Sequence, residues 1–225
     1  LAISPDASTQ GGKLSQQAFT YFKAGEDQKA LECINKAIEI EPAASSYRLR
    51  AEIELDMHNF AGALEDAQKA KKAEPTVAEN FRMVGRVYVA LGKLPDAIKE
   101  LDTAVKFAPD DHVIRRSRAH LLEQTGQFGK AIVDYTTAIK TIQRQNRASL
   151  YEARGKCYMK TKEYQLAVDD FTSALSTTYG RSSLLRYRSQ AYKLLGKPEL
   201  AQKDLQAAVS MDEVFEPPSN LGKDN

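Results

Sequence analysis

Residues 81–105 read FRMVGRVYVALGKLPDAIKELDTAV, and this stretch decides the fold. Phe81, Val84, Gly85, Tyr88 and Leu91 recur at helical spacing. Gly92 follows, and then Leu94, Ala97, Ile98, Leu101, Ala104 and Val105 recur in the same way. Apolar residues three and four apart make one face of an α-helix. A glycine just past such a run suits the left-handed cap that ends a helix. The stretch therefore predicts two amphipathic helices joined by a tight turn. Helices so joined lie antiparallel, about 8–10 Å apart. The residue at their closest approach must be small, and Gly85, Ala97 and Ala104 are the small residues available.

Those three positions recur through the chain. Ala18, Ala51, Gly85, Ala119, Gly155 and Ser189 form one series; Ala30, Ala63, Ala97, Ala131, Ala167 and Ala201 a second; Ala37, Ala70, Ala104, Ala138, Ala174 and Ala208 a third. All three advance by 33, 34, 34, 36 and 34 residues, so the chain is six copies of one helical hairpin. The boundaries fall near 13–43, 44–77, 78–111, 112–147, 148–181 and 182–211. A polar segment, 1–12, precedes them, and a polar tail, 212–225, follows. The longer fourth step places two extra residues within 141–146 and predicts a longer helix or a looser link there.

The copies differ in informative ways. Gly25, Gly92, Gly126 and Gly196 take the turn, but His58 and Lys162 stand there in repeats two and five, where positive φ burdens a side chain. Pro42, Pro75 and Pro109 close repeats one to three, since proline cannot continue a helix. Bulky residues flank the small ones: Tyr21, Tyr88, Leu122, Tyr158 and Tyr192 on first helices, Ile34, Leu101, Tyr135, Phe171 and Leu205 on second helices. Repeat two has Glu54 and Ala67 instead and is expected to pack least well.

This pattern of small residue, bulky residue, Gly turn, Ala, bulky residue, Ala and closing Pro resembles the tetratricopeptide repeat family over about residues 13–211. The family's frequent Trp is absent; Leu14, Tyr47, Phe81, Arg115, Tyr151 and Leu185 hold its place, and Arg115 makes repeat four atypical. The resemblance implies an all-α fold, a right-handed superhelical solenoid of about twelve antiparallel helices. First helices would line a concave groove, and the function would be that of a scaffold or adaptor for a protein or peptide. A Lys/Asn/Arg carboxylate clamp, as in chaperone-binding members, is missing. Its places hold Ser15, Phe19, Leu49, Glu79 and Met83 from repeat one, and Arg48, Glu52, Met83, Val113 and Ser117 from repeat two.

Residues three before and one after the small position share a face of each first helix, and the implied groove would be lined by them. Arg48, Arg82, Arg116 and Arg186 occupy one matching position in four of the six repeats; Arg86, His120 and Lys156 occupy the other. With Met83, Met159 and Tyr187 they form the candidate binding surface, a basic ladder suited to an acidic segment because the arginine fork grips a carboxylate with two hydrogen bonds. The competing expectation is a solvated face in which Glu52, Glu123 and Glu152 pair with these cations internally.

Other chemistry finds little support. The chain has 225 residues, 42% of them hydrophobic and 28% charged, which suits a buried core. A net charge of +2 gives no general pull toward nucleic acid or anionic membrane. No apolar run approaches the roughly 20 residues that span a bilayer. His58, His112 and His120 lack metal-ligand spacing, no phosphate loop or nucleophile motif occurs, and neither a metal nor a cofactor is expected. Nor is enzymatic activity. Cys33 and Cys157 read as packing residues, although Lys156 beside Cys157 would favour the thiolate. Asp110 and Asp111 read as a helix cap. The last helix is expected to leave Leu200, Leu205 and Val209 partly bare unless Val214 and Phe215 fold back, which raises self-association as an alternative function. A further alternative is an accessory module of a larger enzyme or secretion assembly. A start at Leu1 fits a trimmed chain or a cleaved signal, with a cytoplasmic setting preferred over an exported one.

Overall fold

The structure is a computed structural model that describes residues 9–177 and 181–215. Helices α1 (Gln10–Lys23) to α6 (Leu94–Phe107) form three hairpins: α1 with α2 (Asp27–Ile40), α3 (Ala44–Asp56) with α4 (Phe60–Ala73), and α5 (Ala78–Ala90) with α6. Helices α7 (His112–Gln124) to α12 (Pro198–Phe215) form three more: α7 with α8 (Phe128–Thr141), α9 (Ala148–Lys160) with α10 (Tyr164–Leu175), and α11 (Ser182–Leu194) with α12. No strand occurs among the described residues. Two compact units divide the chain between Pro109 and Asp110, after the third hairpin.

One turn geometry closes every hairpin. Gly25, Gly92, Gly126 and Gly196 have φ of 70–75°, and His58 and Lys162 adopt 60° and 66° at the same place. The following N–H, from Glu26, Asn59, Lys93, Gln127, Glu163 and Lys197, donates back to the carbonyl of Tyr21, Glu54, Tyr88, Leu122, Tyr158 and Tyr192 at 2.7–2.9 Å. This is the bond pattern that satisfies the last carbonyls of a helix ending in a left-handed residue. Pro42, Pro75 and Pro109 each stand two residues beyond the end of α2, α4 and α6. Asp111 caps α7, its Oδ1 accepting from Val113 N at 2.8 Å and Ile114 N at 3.1 Å. Helix α12 continues past Met211, where the repeat spacing closes the sixth hairpin, to Phe215.

The small residues are buried as the spacing requires. All six alanines of the third series are fully enclosed, as are Ala18, Ala51 and Ala119. At Gly155 an added Cβ would meet the Phe171 ring at 2.7 Å, so the close approach excludes even a methyl group. Ser189, in the same series, donates its hydroxyl to Ala201 O at 2.7 Å. Between hairpins the core continues: Ala18, Ile34 and Ala37 pack with Leu49 and Ile53 of the second hairpin. Phe171 and Ala174 pack with Leu184 and Ala191 of the sixth.

First helices approach one another within each unit, α1 with α3 and α3 with α5 in the first, and α9 with α11 in the second. The candidate binding residues stand on first helices, α3, α5, α7, α9 and α11.

Candidate functional site

In the N-terminal unit the basic ladder is neutralised from within. Arg48, only 12% exposed in its side chain, donates through Nη1 to Asn80 Oδ1 at 2.6 Å and lies 3.9 Å from Glu74 Oε2. Asn80 is itself fully buried and donates to Ala70 O and Glu74 O at 3.1 and 2.9 Å, so Arg48 ties its helix to the next hairpin. Arg82, 13% exposed, is held by both oxygens of Glu79 one turn back, Nε reaching Oε2 at 2.7 Å. Arg86 Nη1 reaches Glu52 Oε1 at 2.7 Å. Met83 is not on the surface at all: it is 2% exposed and packs with Ala51, Ala63, Ala67, Val84 and Val87. Position on the helix face marked it as accessible, but the adjoining second hairpin has only Ala67 where the others carry a bulky residue, and the thioether fills that space.

The C-terminal unit differs. Arg116 is exposed, and among the described residues no carboxylate pairs with it. His120 is exposed and shares a 2.9 Å hydrogen bond with Gln124. Glu152 takes two cations, Lys156 Nζ at 2.6 Å and Arg181 Nη1 at 3.0 Å. Burial draws the Lys156 ammonium down, and its bond to Glu152 outweighs this and leaves it above its ordinary range. The same ammonium lies 4.6 Å from the Tyr187 ring centroid, and Tyr187 stacks on Phe171 at 5.7 Å. Met159 and Tyr187 are both half-buried against the hairpin core. Arg186 pairs with Asp212. Of the four ladder arginines, Arg116 alone keeps its guanidinium unpaired among the described residues.

Arg116 also lines a pocket of about 430 Å³ with His112, Gln145, Asn146, Ser149 and Arg181. The pocket opens beside the link between α8 and α9, which carries the two extra residues and folds as a short 3-10 turn, Arg144–Asn146.

A second arginine series escaped the sequence reading. Arg50, Arg118, Arg154 and Arg188 each stand one residue before the small position, and each grips a carboxylate sixteen residues on in its own hairpin: Asp66, Asp134, Asp170 and Asp204. Both oxygens are used; Arg154, for example, donates to Asp170 at 2.8 and 2.7 Å. The remaining nitrogen reaches back to the preceding second helix, Arg50 to Asn35 Oδ1 at 2.8 Å, Arg154 to Thr136 Oγ1 at 2.9 Å and Arg188 to Thr172 Oγ1 at 3.1 Å. These arginines sew hairpin to hairpin. The constant spacing of sixteen was the available signal. Arg115, in the place of the family's Trp, also donates to Asp134, at 2.6 Å.

Cys33 is half-buried and Cys157 buried, both free. Burial pushes the Cys157 thiol up to about 12, opposite to the direction Lys156 alone would give. Tyr135 donates to Glu123 Oε2 at 2.8 Å, a neutral partner rather than one of the groove cations that the competing expectation gave that acid. Among the described residues there is no cluster of three metal-ligating side chains, and no helix is long and apolar enough to cross a membrane. Leu200, Leu205 and Val209 on α12 are 39–43% exposed. The side chains of Val214 and Phe215 lie outside the described residues.

Comparison with known proteins follows the same lines. Residues 82–146 match one sequence profile of the tetratricopeptide repeat, and residues 14–43, 148–178 and 188–215 match a second. The zebrafish (Danio rerio) protein unc-45 homolog B is 34% identical over 92 residues, 40% of this chain and 10% of its own length. The chain thus spans about a tenth of that relative. Among solved structures, YrrB, described as a TPR protein with an unusual peptide-binding site, superimposes with a TM-score of 0.73 at 18% identity, covering 82% of this chain and 95% of its own. MamA does so with 0.71 at 20% identity, covering 79% and 98%. At these identities the likeness is one of fold.

Proposed function

The chain belongs to the tetratricopeptide repeat family, and from that premise we propose that it is a protein-interaction module that holds a peptide or protein segment on its first-helix face, with acidic segments preferred by the C-terminal unit. The observation that carries this reading is the contrast in pairing: the arginines that sew hairpins together are held by carboxylates, while Arg116 stands exposed with no carboxylate partner among the described residues. An exposed charged group on a first helix is available to a partner, and a guanidinium selects carboxylate-type oxygens. The solved relative YrrB, named for a peptide-binding site, supports peptide binding as a use of this fold. No catalytic constellation accompanies the surface among the described residues, so the reading is one of recognition.

Selection from a displayed random-peptide library tests it. Wild-type protein is expected to enrich peptides carrying Asp or Glu, with binding that weakens as salt rises. Arg116→Ala is expected to lose the acidic preference, and Arg82→Ala, whose guanidinium is already held by Glu79, to keep it. Failure to enrich any peptide would reject the module reading; enrichment of neutral peptides alone would reject its acidic preference.

Self-association is a second reading. At the position of Leu205 the earlier hairpins bury Ile34, Leu101, Tyr135 and Phe171, so a second copy, which offers helices of the same kind, is the fitting cover for the exposed stripe on α12. Sedimentation velocity over a concentration series decides it: a constant monomer value, shared by Leu205→Glu, rejects it.

A further inference from the structure

The step from repeat four to repeat five is 36 residues where its neighbours are 34. The surplus lies between α8 and α9, and its structural effect is local. The pocket opens beside this link, lined from α7 by His112 and Arg116 and from α9 by Ser149. Its lining is mainly polar, from Arg116, Arg181, His112, Gln145, Asn146 and Ser149, with Ile142 and Ala148 completing it.

The charges around it are unbalanced. Arg181 and Lys156 share one carboxylate, Glu152, and Arg116 has none among the described residues. Among the described residues the two arginines of the pocket thus have one carboxylate between them, and Lys156 shares it. In the N-terminal unit the same helix position is partnered, by the Asn80 amide and the Glu74 carboxylate for Arg48 and by Glu79 for Arg82. Among the described residues no other hairpin junction carries both the surplus residues and an arginine without a carboxylate. Two guanidinium groups offer paired donors to planar or tetrahedral oxyanions, and neighbouring amide and hydroxyl donors can serve an additional oxygen.

We propose that this pocket between α7 and α9 anchors an oxyanion, a carboxylate or a phosphoryl group, carried by a partner peptide, with Arg116 as the principal ligand and Arg181 as the second. This rests on the peptide-binding reading above and assigns it a place and a chemistry. Arg181 would divide its hydrogen bonds between Glu152 and the ligand. The backbone of the peptide would run past the pocket along α7 and α9, where Gln145 and Asn146 can meet its polar groups.

The test uses the full chain and three short capped peptides of equal length: one with a central Glu, one with a central phosphoserine, one with a central Gln. Nitrogen–proton spectra of the arginine side chains and backbone report the contact. Expected shifts fall on the Nε–H signals of Arg116 and Arg181 and the Ser149 amide, with Arg82 unmoved and the Gln peptide silent. Arg116→Ala is expected to weaken binding roughly tenfold or more, the scale of one lost charge-assisted pair. Arg116→Lys should restore part of it. A response to the Glu peptide alone identifies a carboxylate, to the phosphoserine peptide alone a phosphoryl group, and to both the shared chemistry. No response to either, or equal shifts at Arg186 and Arg116, overturns the assignment. Because Arg116 is exposed, its replacement should leave the circular dichroism melt unchanged, which separates loss of binding from loss of fold. If library selection still enriches peptides while these shifts are absent, the pocket fails and the module stands.

Discussion

The second and fifth hairpins are built on one backbone and filled with opposite chemistry. Both turn on a non-glycine residue at positive φ, His58 in one and Lys162 in the other. Both are clamped by a bidentate arginine, Arg50 on Asp66 and Arg154 on Asp170, that also reaches the hairpin before. Between the helices, however, the fifth places Tyr158 and the fully buried Phe171, while the second places Glu54 and Ala67. In each, a glycine admits the large group: Gly155 faces the Phe171 ring, and Gly62 faces the Glu54 carboxylate, where an added Cβ would lie 2.5 Å from Oε1. The fold therefore tolerates a carboxylate where an aromatic ring normally sits, provided the arginine clamp and the turn are kept.

If the clamp is what the two hairpins share, removing it should damage both alike and most severely. Asp66→Ala and Asp170→Ala each strand a guanidinium that is 15–20% exposed. Loss of one partner from a buried pair costs about 3–5 kcal/mol. Guanidinium denaturation should show a marked loss of midpoint for both variants, and hydrogen exchange should rise first at the affected junction, because repeat arrays open locally. A small effect in the second hairpin alone would show that its interior does not depend on the clamp.

The next effect separates the two. Gly155→Ala drives a methyl group into Phe171, and overpacking of this kind costs about 1–3 kcal/mol, against about 1 kcal/mol gained from alanine's better helix propensity. A net loss of stability is expected, reversed in part by adding Phe171→Leu. The second hairpin already has Ala51 at this place, fully buried, because Ala67 leaves it room.

Glu54 gives a smaller, pH-dependent difference. One of its oxygens, Oε2, is buried without a hydrogen-bond partner, and Asn59 Nδ2 donates to the other at 3.2 Å. Burial, and then the nearby Asp66 charge, raise its carboxyl above the ordinary range. The folded state thus holds the Glu54 proton more tightly than the unfolded chain does. Its contribution is fully present below the unfolded pKa and is lost as pH rises through the folded one. Glu54→Gln should remove that part of the pH dependence of stability, and Glu54→Leu should raise stability at neutral pH. Equal pH profiles for wild type and Glu54→Gln would count against a buried carboxylate.

These contrasts also mark what could be read from the sequence. Spacing located every turn, including the two strained ones, and the small residues at each crossing, because steric demands repeat with the backbone. It singled out Glu54 as a misfit for the same reason. The binding face was harder. Arg48, Arg82 and Arg116 occupy one helical position and are indistinguishable by spacing, yet Asn80 and Glu79 hold the first two, and among the described residues nothing comparable stands beside the third. Pairing depends on long side chains reaching across hairpins, and helix periodicity carries no information about that. Met83 was misplaced because its burial follows from a neighbour's small size rather than from its own position. The sewing arginines were missed although their aspartates lie at a constant distance, since charged residues on amphipathic helices are ordinarily solvated.

The smallest expected effect comes from the turns, and it sharpens the comparison furthest because only a few atoms change. Glycine adopts positive φ without the side-chain penalty that Lys162 and His58 carry. Lys162→Gly should therefore stabilise the fifth hairpin, by up to about 1 kcal/mol, after the greater freedom of glycine in the unfolded chain is subtracted. His58→Gly relieves the same backbone but gives up an edge-on contact with Phe60, the ring centroids lying 5.9 Å apart. Such aromatic contacts contribute about 0.5–1.5 kcal/mol, so the gain in the second hairpin should be smaller than in the fifth or reversed. Thermal melts of the two variants, read against wild type, rank them. If His58→Gly proves the more stabilising, the second hairpin is held back by its turn rather than by its interior carboxylate, and the contrast between the hairpins moves from the core to the loop.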